Sequence, residues 1–240
     1  MAAMSRVSPH RDRSTVDTYS ALVRSFGIDV GGIRRGHAAV LLDDTLKPRR
    51  LGTALTCENV AAAVRQHRPD VVAIDSPPRC GLTGGSRACE RELLRAGIHS
   101  YPTPSDLRRV ETHPFFAWMK EGFRVFEALA PDYPLFLGGS VKGRALEVFP
   151  HATAYVLGGG PEPPGKKRAH RRRLLEEAGI ETRSLRTADE VDAALAAYTG
   201  WLTLHGQYRA LGNPEEGVVV IPAGALPGLS ISKPSRSSYG

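Results

Sequence analysis

The stretch Phe26-Gly27-Ile28-Asp29-Val30-Gly31-Gly32 decides the fold, because an apolar run carries one carboxylate and stops at two glycines. Side chains alternate along a strand, so Phe26, Ile28 and Val30 share one face and Asp29 points to the other. A carboxylate on a buried strand is costly unless a metal cation or a basic group pairs with it. Hydrogen bonds from the following turn are the alternative explanation for Asp29.

A second carboxylate, Asp75, ends the apolar run at residues 71–74. Because this run shows no alternation, it predicts a central strand that is covered on both faces. Ligand sites in open α/β sheets form at the carboxyl ends of strands. We therefore expect Asp29 and Asp75 to lie close together.

Two further acids have comparable positions later in the chain. Glu147 lies between Leu146 and Val148 in a predicted strand at residues 145–149. Asp192 lies past the first turn of a predicted helix at residues 188–205, where the helix dipole does not account for an acid. Asp189 lies in that first turn, where the dipole alone accounts for it.

The order of predicted elements indicates one α/β domain at residues 26–225. A three-strand antiparallel meander precedes a helix and the strand that ends in Asp75. A helical insertion at about residues 79–143 and the strand that carries Glu147 follow, and a long helix and a final strand end the domain. We predict a mixed sheet, antiparallel in the meander and parallel beyond it, with helices on its faces. The predicted ranges of the main elements are 26–30, 37–42, 50–55, 58–67, 114–130, 188–205 and 218–221.

The two ends of the chain are predicted to be tails. Residues 1–25 are rich in Ser and Arg and contain only two acids, Asp12 and Asp17. Such a composition is typical of a disordered basic tail, and also of an organelle transit peptide or of translation assigned upstream of a start at Met4. We expect a disordered tail at residues 1–25 and a flexible tail at residues 226–240.

Composition favours a basic protein of a reducing compartment. The formal net charge of +7 is consistent with a polyanionic partner such as nucleic acid. Cys57, Cys80 and Cys89 are odd in number and lack CxxC spacing, which indicates reduced thiols and a cytoplasmic location. No apolar run approaches the roughly 20 residues of a membrane span, so no membrane association is expected.

Several cations are candidates for phosphate contact. Six of them lie within eight residues, at 166–168 and 171–173. We single out Lys166 and Lys167 from this run, and Arg87 from the insertion. The alternative is that the run forms a solvated helix face.

Four carboxylates on separate elements would repel one another if they converged without a cation. Converged acids bind Mg²⁺ or Mn²⁺, and a pair of such ions stabilises the attacking and leaving oxygens in phosphodiester hydrolysis. This chemistry points to Asp29, Asp75, Glu147 and Asp192 as catalytic metal ligands.

The chain resembles the DUF429 family over about residues 25–225. The resemblance rests on short motifs in this order: Gly27-Ile28-Asp29, Ala73-Ile74-Asp75-Ser76-Pro77, Arg87 with Cys89-Glu90, Glu147-Val148-Phe149-Pro150 and Asp189-Glu190-Val191-Asp192-Ala193. That family is described as predicted nucleases with an RNase H-like fold. The resemblance implies that Asp29, Asp75, Glu147 and Asp192 form an acidic cluster.

Two other functions remain open at this point. The stretch at residues 27–32 also resembles the first phosphate-binding turn of actin-like ATPases and sugar kinases, which suggests a nucleotide-binding phosphotransferase. Those proteins repeat the fold twice, however, and the sequence contains one copy. The other possibility is a non-catalytic nucleic-acid-binding protein that keeps its acids for stability.

Overall fold

A computed structural model describes residues 22–226 of the chain, so most of both predicted tails lies outside the described residues. Strand β1 begins at Arg24, two residues before the predicted domain start. The helices and strands, in chain order, are β1 Arg24–Asp29, β2 His37–Asp43, β3 Arg49–Leu55, α1 Cys57–His67, β4 Val71–Asp75, α2 Ala88–Arg95, α3 Leu107–Thr112, α4 Ala117–Leu129, β5 Arg144–Val148, α5 Pro150–Gly158, α6 Lys167–Glu177, α7 Ala188–Leu204, β6 Tyr208–Asn213 and β7 Gly217–Pro222.

Between residues 22 and 226 the strands form one seven-stranded sheet in the order β3-β2-β1-β4-β5-β7-β6. The meander β1–β2–β3 is antiparallel, whereas β1, β4, β5 and β7 are mutually parallel where they pair. Strand β6 pairs with β7 as an antiparallel hairpin. The predicted mixed sheet with helices on its faces is therefore confirmed.

Helix α7 covers one face of the sheet at very short range. Gly27 of β1 lies against the backbone of Ala193 and Ala197, so a Cβ atom at this position would overlap with both. Gly200 of α7 lies equally close to Ser25 of β1. Because β1 has a glycine where it faces the alanine-rich helix α7, the backbones of β1 and α7 lie close together. The side chains at the adjacent ends of these two elements are therefore neighbours.

The opposite face of the sheet is covered by α1 and α4. Val72 and Ile74 of β4 share one apolar cluster with Val125 and Phe126 of α4. Ala73, on the other side of the same strand, packs with the α7 side of the sheet. Strand β4 is thus buried on both faces, as its unbroken apolar sequence predicts.

Helices α2, α3 and α4 form the predicted insertion between β4 and β5. The single helix expected at residues 114–130 begins later, at Ala117, and the shorter helix α3 precedes it. Helix α5 and strand β6 were not predicted. Pro150 was interpreted only as the end of a strand, but proline also suits the first position of a helix, and here it begins α5.

The cysteine side chains and the apolar character of the helices complete the description of residues 22–226. Cys57, Cys80 and Cys89 are free thiols. Within residues 22–226, none of the helices combines the length and the apolar character that crossing a bilayer requires.

The contact between β1 and α7 gives the first testable prediction. Gly27→Ala should lower the free energy of unfolding by about 3 kcal/mol, because the added methyl group must displace helix backbone rather than a flexible side chain. Urea denaturation of the full-length variants measures this change. Gly84→Ala is the matched control, since a Cβ atom there meets open space. Equal stability of the two variants would contradict the close packing.

Candidate functional site

Asp29 and Asp75 lie side by side at the carboxyl ends of two neighbouring parallel strands. The register pairs Asp29 of β1 directly with Asp75 of β4. Registered residues on parallel strands point to the same face, and neighbouring strands are about 4.8 Å apart. Gly27, two residues before Asp29, faces α7, so both carboxylates lie on the α7 side of the sheet.

Asp192 approaches this pair from α7. Its side chain is buried, and its two oxygens already have cationic partners from α6. Arg171 Nη1 donates to Asp192 Oδ1 at 2.6 Å, and Lys167 Nζ lies 3.0 Å from Oδ2. Three aspartates from two strands and one helix therefore meet beside two cations.

The pKa values of the strand aspartates report this crowding. Burial and, to a smaller extent, the charge of Asp192 raise the pKa of Asp29 to about 7, although Arg35, Lys167 and Arg171 partly oppose the increase. Burial also raises the pKa of Asp75 well above its usual value, and the charges of Asp29 and Asp192 add to this effect. Both groups are therefore costly to ionise without an added cation.

The donor set fits a divalent cation held by two carboxylates. In the described part of the chain, no hydrogen bond reaches the side chain of Asp29 or Asp75, whereas both oxygens of Asp192 are paired. Among the same residues, no three or more acidic, histidine or cysteine side chains are arranged to hold one metal ion. Mg²⁺ commonly uses one or two carboxylates and keeps several water ligands, which suits Asp29 and Asp75.

Glu147 lies apart from the aspartates. It pairs in register with Ile74, which faces α4, whereas Leu146 and Val148 on either side of it face α7. Arg87 from the insertion holds it in a buried bidentate pair, with Nη1 to Oε2 at 2.8 Å and Nη2 to Oε1 at 2.6 Å. The structure therefore does not bring Glu147 into the group formed by Asp29, Asp75 and Asp192.

Arg87 is fully engaged by this pair and by Glu90. Its Nε donates to Glu90 Oε1 at 2.9 Å, and Thr103 Oγ1 donates to the same oxygen at 2.6 Å. Burial opposes the charge of Arg87, but the carboxylate of Glu147 outweighs it, so the pKa of the guanidinium is raised. The geometry makes Arg87 a link between the insertion and the sheet, and a phosphate would have to compete with Glu147 for it.

The other predicted site residues lie on the rim. The side chain of Lys166 is exposed and has no ion pair among the described residues, whereas Lys167 is bound to Asp192. Asp189 pairs with Arg35 at 2.8 Å. Asp192, rather than Asp189, is therefore the helix acid whose charge acts on the two strand aspartates.

Sequence reasoning missed two residues beside this group, His151 and Glu162. His151 lies in the first turn of α5, and its Nδ1 lies 3.0 Å from Glu162 Oε1. Arg171 donates to the same oxygen from Nε at 2.8 Å and from Nη2 at 2.5 Å. A usable signal was available, since Glu162 is the one acid in the Gly- and Pro-rich segment at residues 158–165.

A cavity of about 480 Å³ lies beside these groups and is lined by Asp75, but not by Asp29 or Asp192. It lies at the carboxyl ends of β4 and β5, between the insertion on one side and α5 and α6 on the other. Its polar walls are formed by Asp75, Arg87, Glu90, Glu147, His151, Glu162, Lys167 and Arg171, and its apolar walls include Leu93, Trp118, Met119 and Phe149. The size suits a small ligand or one or two units of a polymer.

The fold and the site define a mixed α/β domain with an acidic cleft at the carboxyl ends of its parallel strands. The chain belongs to the family described as protein of unknown function (DUF429), whose model matches residues 27–216. The family predicted from the motifs is therefore confirmed. Searches of curated proteins and of solved structures found no match.

The raised pKa of Asp29 predicts how stability depends on pH in the absence of metal. Between about pH 4 and pH 7 the folded protein keeps a proton that the unfolded chain releases, so the free energy of unfolding falls as the pH rises. Asp29→Asn removes this loss and should be more stable than the wild type at pH 8, by on the order of 2 kcal/mol, and equal to it near pH 4.

Urea denaturation between pH 4 and pH 8.5 in a chelating buffer measures this difference. Asp132→Asn, at a surface carboxylate paired with Arg65, controls for the loss of one charge. Wild-type and Asp29→Asn curves that run parallel over the whole range would contradict the crowding of the aspartates.

Proposed function

We propose that the protein is a Mg²⁺- or Mn²⁺-dependent nuclease that hydrolyses phosphodiester bonds of nucleic acid. One observation carries the proposal: Asp29 and Asp75 lie in register at the ends of neighbouring parallel strands, without a hydrogen-bonding partner in the described region. Rigid strands hold such ligands more accurately than loops do. A bound Mg²⁺ or Mn²⁺ would supply the activation of water and the charge neutralisation that this reaction needs.

The chain's own residues have separate roles in this proposal. Asp29 and Asp75 would hold the cation, and Asp192 would add negative charge from α7 while it keeps Lys167 and Arg171 at the edge of the cleft. The apolar walls exclude water from the part of the substrate that enters the cavity. Glu147 keeps the insertion attached to the sheet through Arg87.

The order of the elements also supports the proposal. The elements come in this order: a meander, a helix, a strand that ends in an aspartate, an insertion, a strand with a glutamate and a helix with an aspartate. The resemblance to RNase H-like nucleases implies the same order. A cytoplasmic location is part of the same proposal, because the thiols are free.

The nucleotide-binding phosphotransferase is less well supported than the nuclease. The one seven-stranded sheet of residues 22–226 forms a single copy of the fold, whereas actin-like ATPases and sugar kinases have two. ATP turnover by the purified protein would favour that alternative, and binding of nucleic acid without hydrolysis in Mn²⁺ would favour a non-catalytic role.

Substitution of the paired aspartates tests the proposal directly. Mn²⁺ should raise the melting temperature of the wild type, because a ligand that binds only the native state stabilises it. Asp29→Asn and Asp75→Asn should each lose this shift and lose cleavage of single- and double-stranded nucleic acid by a factor on the order of a hundred or more. Thermal denaturation and gel-based cleavage assays measure the two effects.

Asp189→Asn is the matched control on the helix that carries Asp192. Its carboxylate pairs with Arg35 at the surface, so the variant should keep both the metal shift and the cleavage, and should cost at most about 1 kcal/mol of stability. The proposal fails if the wild type shows no metal shift, or if the variants of Asp29 and Asp75 shift as the wild type does.

A second prediction concerns contact with the phosphate backbone. Lys166→Ala should weaken nucleic-acid binding uniformly across sequences and should reduce the slope of log affinity against log salt by roughly one. Lys142→Ala is the control, because Lys142 pairs with Asp70 at the opposite end of β4. Fluorescence anisotropy at several salt concentrations measures the slopes, and an unchanged slope would assign Lys166 to a solvated helix start.

A further inference from the structure

The cleft contains a histidine–carboxylate pair that the metal site does not use. His151 Nδ1 lies 3.0 Å from Glu162 Oε1, and His151 and Asp75 line the same cavity. A carboxylate only accepts hydrogen bonds, so Nδ1 carries the proton and donates to Glu162. In the described part of the chain, no hydrogen bond involves His151 Nε2.

The surroundings of Glu162 keep it ionised. Burial alone would raise its pKa, but the hydrogen bonds from His151 and Arg171 outweigh burial and lower the pKa to about 2. Arg171 is 3% exposed and also binds Asp192, so one guanidinium connects the histidine pair to the aspartate group. A fixed carboxylate behind Nδ1 orients the imidazole, the arrangement of an oriented acid–base histidine.

Position in the sheet brings the imidazole to the reacting end of the cleft. His151 follows β5 by three residues, and β5 is the parallel neighbour of β4, which ends in Asp75. About a third of its side chain is exposed, and the residue is part of the cavity lining. Oriented proton donors in this position contribute most where the leaving oxygen of a reaction is a poor leaving group.

We infer that His151 is a further catalytic residue, a general acid that protonates the leaving oxygen of the phosphodiester; this inference rests on the proposed nuclease function. Water oxygen bonds to phosphorus and loses a proton to a second water molecule. The bond from phosphorus to the leaving oxygen breaks, and that oxygen takes the proton from His151 Nε2. Bulk water then restores the proton to the imidazole.

The leaving group distinguishes this role from a structural one. Full-length protein is assayed in Mn²⁺ with a dinucleoside phosphate, whose leaving alkoxide needs a proton, and with thymidine 5′-(p-nitrophenyl phosphate), whose leaving phenolate needs none. His151→Ala should lower turnover of the dinucleoside phosphate by on the order of a hundredfold and that of the nitrophenyl ester by less than about threefold. His151→Gln, which keeps a donor for Glu162, should behave in the same way.

The control is a second histidine–carboxylate pair outside the cleft, His205 with Asp44. His205→Ala should leave both turnover numbers at the wild-type values. Equal losses on the two substrates in the variants of His151, or no loss on either, would overturn the inference.

If the wild type hydrolyses neither substrate, a second measurement tests the position of the imidazole without relying on turnover. Imidazole resonances of the metal-free protein are followed by NMR during titration with thymidine 5′-phosphate, and His151→Ala gives the assignment. Movement of the His151 resonances without movement of those of His205 places the imidazole against a phosphate ester. An unmoved His151 resonance overturns the inference.

Discussion

The close contact between α7 and β1 is the constraint on which the rest of the site depends. Gly27 has no side chain, and Ala193 and Ala197 present only methyl groups, so the helix backbone lies directly on the strand. At this separation Asp192 comes close enough for its charge to raise the pKa of both Asp29 and Asp75. Larger side chains at the contact would separate helix and strand and leave the strand aspartates in a wet, ordinary environment.

The negative charges of the three aspartates are unevenly compensated, and among residues 22–226 the site lacks a cation that pairs with Asp29 and Asp75. Lys167 and Arg171 both bind Asp192, so they offset its charge and only partly offset those of Asp29 and Asp75. A protein can relieve two adjacent unpaired carboxylates either by keeping a proton or by binding a cation. Without metal the relief is protonation, and Asp29 loses its proton as the pH rises through about 7.

The sequence predicted the central strands well, because a strand that is buried on both faces forms an unbroken apolar run. The apolar run of β4 and the glycine-terminated run of β1 predict buried strands that end in acids, and the structure shows that these strands are parallel neighbours. Glu147 was harder to place, because alternation shows that it opposes Leu146 and Val148 but the face depends on the register with β4. Strand β6 was not predicted, because its sequence, YRALGN, shows only weak alternation of apolar and polar residues and has a glycine in its interior. His151 and Glu162 are eleven residues apart across a turn that no periodicity describes.

The ion pairs also decide which cations are available to a polyanion. Arg87, Lys167 and Arg171 all line the cavity, yet each has a carboxylate partner, and removing Arg87 from Glu147 would leave a buried acid uncompensated. A substrate phosphate can compete more easily for Lys167, whose side chain is more than half exposed, than for the buried Arg171. If a metal ion neutralised Asp29 and Asp75, it would weaken the attraction of the cluster for Lys167 and leave this lysine freer to contact phosphate. Metal binding and substrate binding would then favour each other, because both depend on the attraction between Lys167 and the aspartates.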